Sequence, residues 1–190
     1  MESIRTFIAL ELPAELKAVL ARMQKTFMQS TAGVKWVRPE AIHLTLKFLG
    51  ATSMEKVDIV CGVLDHLTRN VMPFSFDATG MGAFPNSRNP KVIWAGLQVE
   101  DRLKVFQEEL ETALADKGFA AEDRPFAPHL TLGRLKDGLA RKDIAGLIER
   151  FSSEHFGRFE ADHVIFFKSE LKPSGPVYTV IKDITLMKNA

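Results

Sequence analysis

His43 and Thr45 stand two apart in "AIHLTLKFLG" (41–50), and His129 and Thr131 stand two apart in "HLTLGRL" (129–135). The letters His-Leu-Thr-Leu are the same in both places. Side chains alternate along a strand with a period of two, so each His shares a face with its Thr and the leucines take the other face. One such pair is what any half-buried strand can carry. Two copies call for a reason, because core packing does not require an imidazole and a hydroxyl twice. An imidazole, with its ordinary pKa of about 6.5, accepts a proton when neutral and donates one when charged. Two imidazoles on opposite sides of one reacting centre make a general base and a general acid. Two neutral hydroxyls beside them can donate to an oxygen on which charge is growing. The set suits an in-line displacement at phosphorus, in which one oxygen attacks as another leaves.

The same set is a poor metal site. It offers two imidazoles and two hydroxyls with no adjacent carboxylate or thiolate, where a catalytic zinc takes three protein ligands and magnesium prefers carboxylates. The expectation is a reaction that needs no metal and no cofactor.

One strand cannot flank a phosphate from both sides, so the fold must bring two strands face to face. "IRTFIALEL" (4–12) reads as a strand, and Pro13 opens a helix with Leu16, Val19, Leu20, Met23 and Phe27 on one stripe. "VKWV" (34–37) is a short strand ended by Pro39, and the first His-Thr strand follows with Gly50 as its stop. Ser53 is the expected N-cap of a helix to about Arg69. "FSFDATGMGAF" (74–84) and "KVIWAGL" (91–97) form a hairpin around "PNSRNP", and a helix over 101–118 ends at Gly118. After the second His-Thr strand come a helix at about 141–151 and two strands, "RFEADHVIFFKSEL" and "VYTVIKDITL", paired around Pro-Ser-Gly-Pro. The order implies an α+β class: two antiparallel sheets with helices outside, in one two-lobed catalytic domain over 1–190. If each half of the chain is one lobe, a pseudo-twofold axis relates the two His-Thr strands across a central groove.

The bulk composition narrows the substrate. The 190 residues are enough for one good core, and 46% hydrophobic and 26% charged residues are ordinary for a soluble globular protein. Lys and Arg number 25 against 24 Asp and Glu, so no strong field is available to grip long nucleic acid by its phosphates. A small substrate, or a long one held at its end, fits better. The single cysteine, Cys61, excludes an intramolecular disulfide and reads as a small core residue of a helix. With no basic region followed by a long apolar stretch at the N-terminus and no apolar run of membrane-spanning length, the expected location is the cytoplasm and no membrane partner is expected.

With the duplicated motif and its flanks in view, the chain resembles the two-histidine (2H) phosphoesterase superfamily, and within it the RNA 2′,3′-cyclic phosphodiesterases historically called 2′-5′ RNA ligases. "RTFIALELP", "VKWVRPEAIHLTLKFLG", "GMGAFPNSRNPKVIWAGL", "RPFAPHLTLGRL" and "SELKPSGPVY" carry the resemblance in order along essentially the whole chain. It implies a bilobal fold with a central groove and hydrolysis of 2′,3′-cyclic phosphates to 2′-phosphomonoesters. The partners implied are RNA 3′ ends bearing the cyclic phosphate, or small cyclic nucleotides, with the chain acting as a monomer. By resemblance, His43 is the acid that protonates O3′ and His129 is the base on water; the residues alone do not order these roles. Two other readings stay open: a ligase joining RNA ends through the same groups in reverse, and a non-catalytic module that binds RNA ends.

Two further residues occupy equivalent places, five after each His: Phe48 and Arg134. The resemblance puts an Arg at the second position in contact with phosphate or base. Strict alternation objects, since both fall on the leucine face. A bulge or twist at Gly133, and at the strand end before Gly50, could turn them toward the groove, where a base could stack between ring and guanidinium. The other histidines, His66, His155 and His163, lack a Thr partner and read as structural or solvated. Arg88 and Lys91 belong first to a hairpin loop and only second to a wall of the substrate groove. Lys35, Arg38 and Lys47 either add positive charge beside the first motif or are solvated.

Overall fold

The computed structural model describes residues 3–29, 33–135, 142–173 and 175–187. Its strands are β1 (Ser3–Leu10), β2 (Val34–Trp36), β3 (Leu44–Ser53), β4 (Phe74–Phe84), β5 (Val92–Val99), β6 (His129–Leu135), β7 (His155–Ala161), β8 (His163–Lys172) and β9 (Gly175–Thr185). Its helices are α1 (Ala14–Met28), α2 (Met54–Leu67), α3 (Asp101–Ala115) and α4 (Lys142–Arg150), with a 3-10 turn at Pro39–Ala41. Among the described residues no helix is long and apolar enough to cross a membrane.

The strands form two antiparallel sheets, ordered β3-β1-β8-β9 and β2-β6-β5-β4-β7. The lobes are therefore not the two halves of the chain. The first sheet joins β1 and β3 to the C-terminal hairpin β8-β9, and β2, from the N-terminal half, pairs with β6 in the second sheet. The segment "RFEADHVIFFKSEL", expected as one strand, is two: β7 pairs with β4 in the second sheet, and after Asp162 the chain crosses to β8 in the first. The hairpin expected between the last two strands is present as β8-β9.

Each long helix beside a motif covers the sheet that its sequence neighbours do not lead one to expect. The stripe Leu16, Leu20, Met23, Gln24 and Phe27 buries α1, which follows a first-sheet strand, against the second sheet; Phe27 stacks on Trp36 of β2 at 5.9 Å. The stripe Leu103, Phe106, Gln107, Leu110 and Leu114 buries α3, which follows a second-sheet strand, against β3 and α2. Ser53 caps α2 as expected, its side chain accepting the Lys56 N–H at 3.4 Å. One continuous apolar core runs through both sheets and all four helices. Cys61 is half-buried beside it, and burial pushes its thiol up from the ordinary value.

Gly50 does not stop the first His-Thr strand. β3 continues to Ser53, and Gly50, at φ 68°, follows an irregularity where Leu49 has no partner on β1. Glycine adopts this left-handed backbone at no steric cost, so the strand bends there and resumes. Beyond the bend Thr52 Oγ1 and Thr6 Oγ1 are hydrogen-bonded at 2.7 Å.

Candidate active site

The two His-Thr pairs reach one groove from different sheets. His43 immediately precedes β3, at the edge of the first sheet, and His129 opens β6, inside the second. His43, Thr45, Phe48, His129, Thr131 and Arg134 all line a single cavity of about 630 Å³. The leucines between them, Leu44, Leu46, Leu130 and Leu132, are buried in the core, as alternation requires.

Alternation then breaks, at the same place in both strands. In β3, Thr45 pairs with Ala9 and Lys47 with Ile8, so Leu46 is an extra residue. In β6, Thr131 pairs with Trp94 and Gly133 with Ile93, so Leu132 is the extra residue. A one-residue bulge reverses the facing of everything after it. Phe48 and Arg134 are thereby exposed on the His-Thr face. The bulges lie at Leu46 and Leu132, one residue ahead of Gly133 and well ahead of Gly50. Gly133 serves a second need: a Cβ there would lie 2.7 Å from Val34 Cγ1 and 3.1 Å from the Trp36 ring.

The reversal also corrects Lys47. It is neither solvated nor part of the groove lining beside the first motif. Its side chain is buried on the core side, ion-paired with Glu111 and donating to the Ala120 carbonyl at 2.9 Å. Its counterpart in the second motif is Gly133.

Both rings are oriented by the same backbone device. His43 Nδ1–H donates to the Ala41 carbonyl at 3.0 Å, and His129 Nδ1–H donates to the Ala127 carbonyl at 2.7 Å. A carbonyl only accepts, so the proton sits on Nδ1 and Nε2 is left without it, with a free lone pair, in each ring. The ring environments differ. His43 stacks on Phe7 at 4.7 Å and meets the edge of Tyr178 at 5.3 Å. Burial among these rings disfavours the charged form and lowers its pKa to about 4, against an opposing pull from the Ala41 carbonyl; nearby Lys17 lowers it further. His129 meets Phe84 edge-on at 5.0 Å and Trp94 at 6.5 Å.

The rest of the lining is cationic and aromatic. Arg5, Lys35, Arg38 and Arg134 line the cavity, and among the described residues no Asp or Glu does. Four positive side chains thus gather in a chain whose formal net charge is only +1. Burial pushes the Tyr178 hydroxyl above its ordinary range, while the charges of Arg134 and Arg5 pull it down. Sequence reasoning misses Arg5, Phe7 and Tyr178. They come from β1 and β9, and only the pairing of the termini in the first sheet brings them to the motif. A period-two reading of "IRTFIAL" puts Arg5 and Phe7 on one face, which is the available signal.

The remaining histidines have partners elsewhere or none that concerns the groove. His155 Nε2 is 3.2 Å from Asp77 Oδ1, and His163 Nδ1 is 2.7 Å from Asp183 Oδ1. His66 lies in the last turn of α2. Asn86, rather than Arg88 or Lys91, organises the β4-β5 loop, its Oδ1 accepting the N–H groups of Arg88 and Asn89 at 3.0 Å each. Among the described residues no group of three or more His, Cys, Asp or Glu could hold a metal ion.

Known proteins share this fold and much of this sequence. The model of the family described as LigT like Phosphoesterase matches residues 10–94 and 97–178. The RNA 2′,3′-cyclic phosphodiesterase of Methanocaldococcus jannaschii is 36% identical over 180 residues, covering 95% of this chain and 99% of its own. That of Methanothermobacter thermautotrophicus is 35% identical over 176 residues, covering 93% and 95%. The crystal structure of TT0787 from Thermus thermophilus superposes with a TM-score of 0.82 at 32% identity, over 96% of this chain and 97% of that one.

Proposed function

The chain belongs to the LigT-like phosphoesterase family, and from that premise we propose that it hydrolyses the 2′,3′-cyclic phosphate of RNA 3′ ends to a 2′-phosphomonoester without a metal. The observation that carries the reading is the duplicated site: two His-Thr pairs, each ring tied through Nδ1 to a backbone carbonyl, on one groove.

The chemistry follows from the free Nε2 atoms. Water attacks phosphorus as His129 Nε2 takes its proton; the P–O3′ bond breaks as His43 Nε2 delivers a proton to O3′. Thr45 and Thr131 donate to the non-bridging oxygens, where negative charge increases. His43 is neutral in the empty groove, so it must gain its proton along with the substrate. The anionic phosphate supplies the drive: a unit charge at about 4 Å, at an effective dielectric of about 20, is worth about 4 kcal/mol. That exceeds the lowering of the ring from 6.5 to about 4, at about 1.36 kcal/mol per unit. Burial thus makes His43 an acid that is charged when a phosphate is bound.

Arg134 and Phe48 hold the terminal nucleotide, the guanidinium on phosphate or base and the ring against the base. Arg5, Lys35 and Arg38 extend the positive lining beyond one phosphate. A cyclic mononucleotide carries one charge, so the lining favours an RNA end over a small cyclic nucleotide. Both halves of the site come from one chain, which acts as a monomer in the cytoplasm. The same groups run the reaction backwards as 2′-5′ joining, and the excess of water over RNA ends sets the direction to hydrolysis.

The test is turnover, in chelator, of a short RNA ending in 2′,3′-cyclic phosphate beside a cyclic mononucleotide, with products identified by phosphorus NMR. The expected product is the 2′-phosphomonoester, with higher kcat/KM on the RNA. A 3′-phosphomonoester, or tight binding without turnover, overturns the reading.

A further inference from the structure

The two helices before the His-Thr strands carry a second repeat. Residues 20–27 read "LARMQKTF" and residues 103–110 read "LKVFQEEL". In both, a glutamine has an apolar residue four before, one before and three after it. That spacing puts Gln24 and Gln107 on the buried stripes of α1 and α3. They are 1% and 5% exposed, where an uncharged amide must find partners or cost stability.

Their partners are the bulges. Gln24 Nε2 donates to the Leu132 carbonyl at 3.0 Å and to the Val37 carbonyl at 2.8 Å. Gln107 Nε2 donates to the Leu46 carbonyl at 3.3 Å and to Glu111 Oε1 at 3.2 Å. Leu132 and Leu46 are the extra residues that reverse the two strands. The pairing is crossed: the helix before the first motif holds the bulge of the second, and the helix before the second holds the bulge of the first. The second amide proton is used locally. Gln24 ties in Val37, whose own N–H also meets the Leu132 carbonyl at 2.9 Å, and Gln107 ties in Glu111, the partner of buried Lys47.

We propose that Gln24 and Gln107 are reciprocal positioning residues, which pin the bulges at Leu132 and Leu46 and so aim Arg134 and Phe48 into the groove. An extra strand residue leaves the ladder locally disrupted; Gln107 supplies a donor to the Leu46 carbonyl, and Gln24 supplies a second donor to the Leu132 carbonyl beside the Val37 N–H. The amide selects the bulged register over the regular one, in which Arg134 and Phe48 would turn to the core side. His43, Thr45, His129 and Thr131 lie ahead of the bulges and keep their facing in either register. Loss of a glutamine therefore weakens substrate binding more than the chemical step. The inference rests on the assignment of Arg134 and Phe48 to substrate binding made above.

The experiment is a double-mutant cycle read as kcat and KM on the RNA substrate, with the Kd of a nucleoside 2′-monophosphate beside them. Gln24→Met keeps the volume and removes the donor. It should raise KM and Kd about tenfold and lower kcat less than about threefold, and so should Arg134→Ala. The double variant should be no more than about threefold worse than the weaker-binding single, because the amide acts through the arginine. Gln107→Met and Phe48→Ala form the matching cycle. Gln24→Asn, which withdraws the amide by one methylene but stays polar, runs the same cycle if Gln24→Met does not fold. Additive losses, or a loss in kcat alone, would overturn the positioning role. Unchanged KM and Kd in Arg134→Ala would instead remove the substrate role of Arg134, and the inference with it.

Discussion

Acid should destabilise this protein through one ring. His43 is buried against Phe7 and Tyr178, and that burial lowers its pKa to about 4 from the ordinary 6.5. In the unfolded chain the ring takes a proton near the ordinary value, and in the folded protein only near the lower one. Between the two the unfolded state binds the extra proton, so stability rises with pH across the window. The contribution is complete above the unfolded pKa of 6.5 and is lost as pH falls to and through about 4. At about 1.36 kcal/mol per unit, the gap corresponds to about 3 kcal/mol. The assay is urea unfolding at steps from about pH 7 down to about pH 4, on the wild type and on His43→Asn. Asparagine keeps an N–H near the Nδ1 position, within reach of the Ala41 carbonyl, and does not titrate. Carboxylates contribute equally to both proteins, so the difference isolates the ring: the wild type should lose about 3 kcal/mol more than the variant. NMR of the ring should show it neutral at about pH 6 in the empty protein and protonated when a nucleoside 2′-monophosphate is bound. A ring that titrates at its ordinary value or above in the empty protein, or equal pH slopes for the two proteins, would show that burial does not hold His43 neutral.

Three further outcomes are expected. Thr45→Val and Thr131→Val should each lower kcat by about tenfold, the worth of one neutral hydrogen bond strengthened in the transition state; a loss as large as that of a histidine variant would give Thr a different role. Glu111→Ala should destabilise by about 3–5 kcal/mol in urea unfolding, since it strands the buried Lys47 ammonium; recovery of most of that loss in Glu111→Leu/Lys47→Met would tie it to the unpaired charge, and an unchanged midpoint for Glu111→Ala would contradict it. Turnover should survive EDTA, and complete loss with rescue by a divalent ion would show that a metal takes part.

Much of the site is legible in the sequence because it is local. Two copies of His-Leu-Thr-Leu announce a shared polar face, and the offset of five puts Phe48 and Arg134 in equivalent positions from the letters alone. What is not legible depends on contacts far apart in sequence. The composition of the lobes cannot be read from strand order, because β1 and β3 complete their sheet with β8 and β9 from the other end of the chain. That pairing alone brings Arg5, Phe7 and Tyr178 to the groove. The side on which Lys47 falls depends on the bulge at Leu46, and period-two alternation has no term for an extra residue. The glutamine repeat is present in the letters but sits within ordinary amphipathic helices. Its meaning emerges only when the amides are seen to reach the bulges of the opposite motif.

As the proposed acid and base, His43 and His129 must both act on one phosphate. The most direct measurement is kcat for His43→Ala, His129→Ala and the double variant on an RNA ending in 2′,3′-cyclic phosphate, with product affinity measured beside it. Each single change should lower kcat by about 10²–10⁴-fold with a much smaller change in affinity, and the double variant should fall little below the worse single, because the pair works as a unit. Near wild-type turnover in either single variant, or a double variant whose loss is the product of the two, would contradict the account.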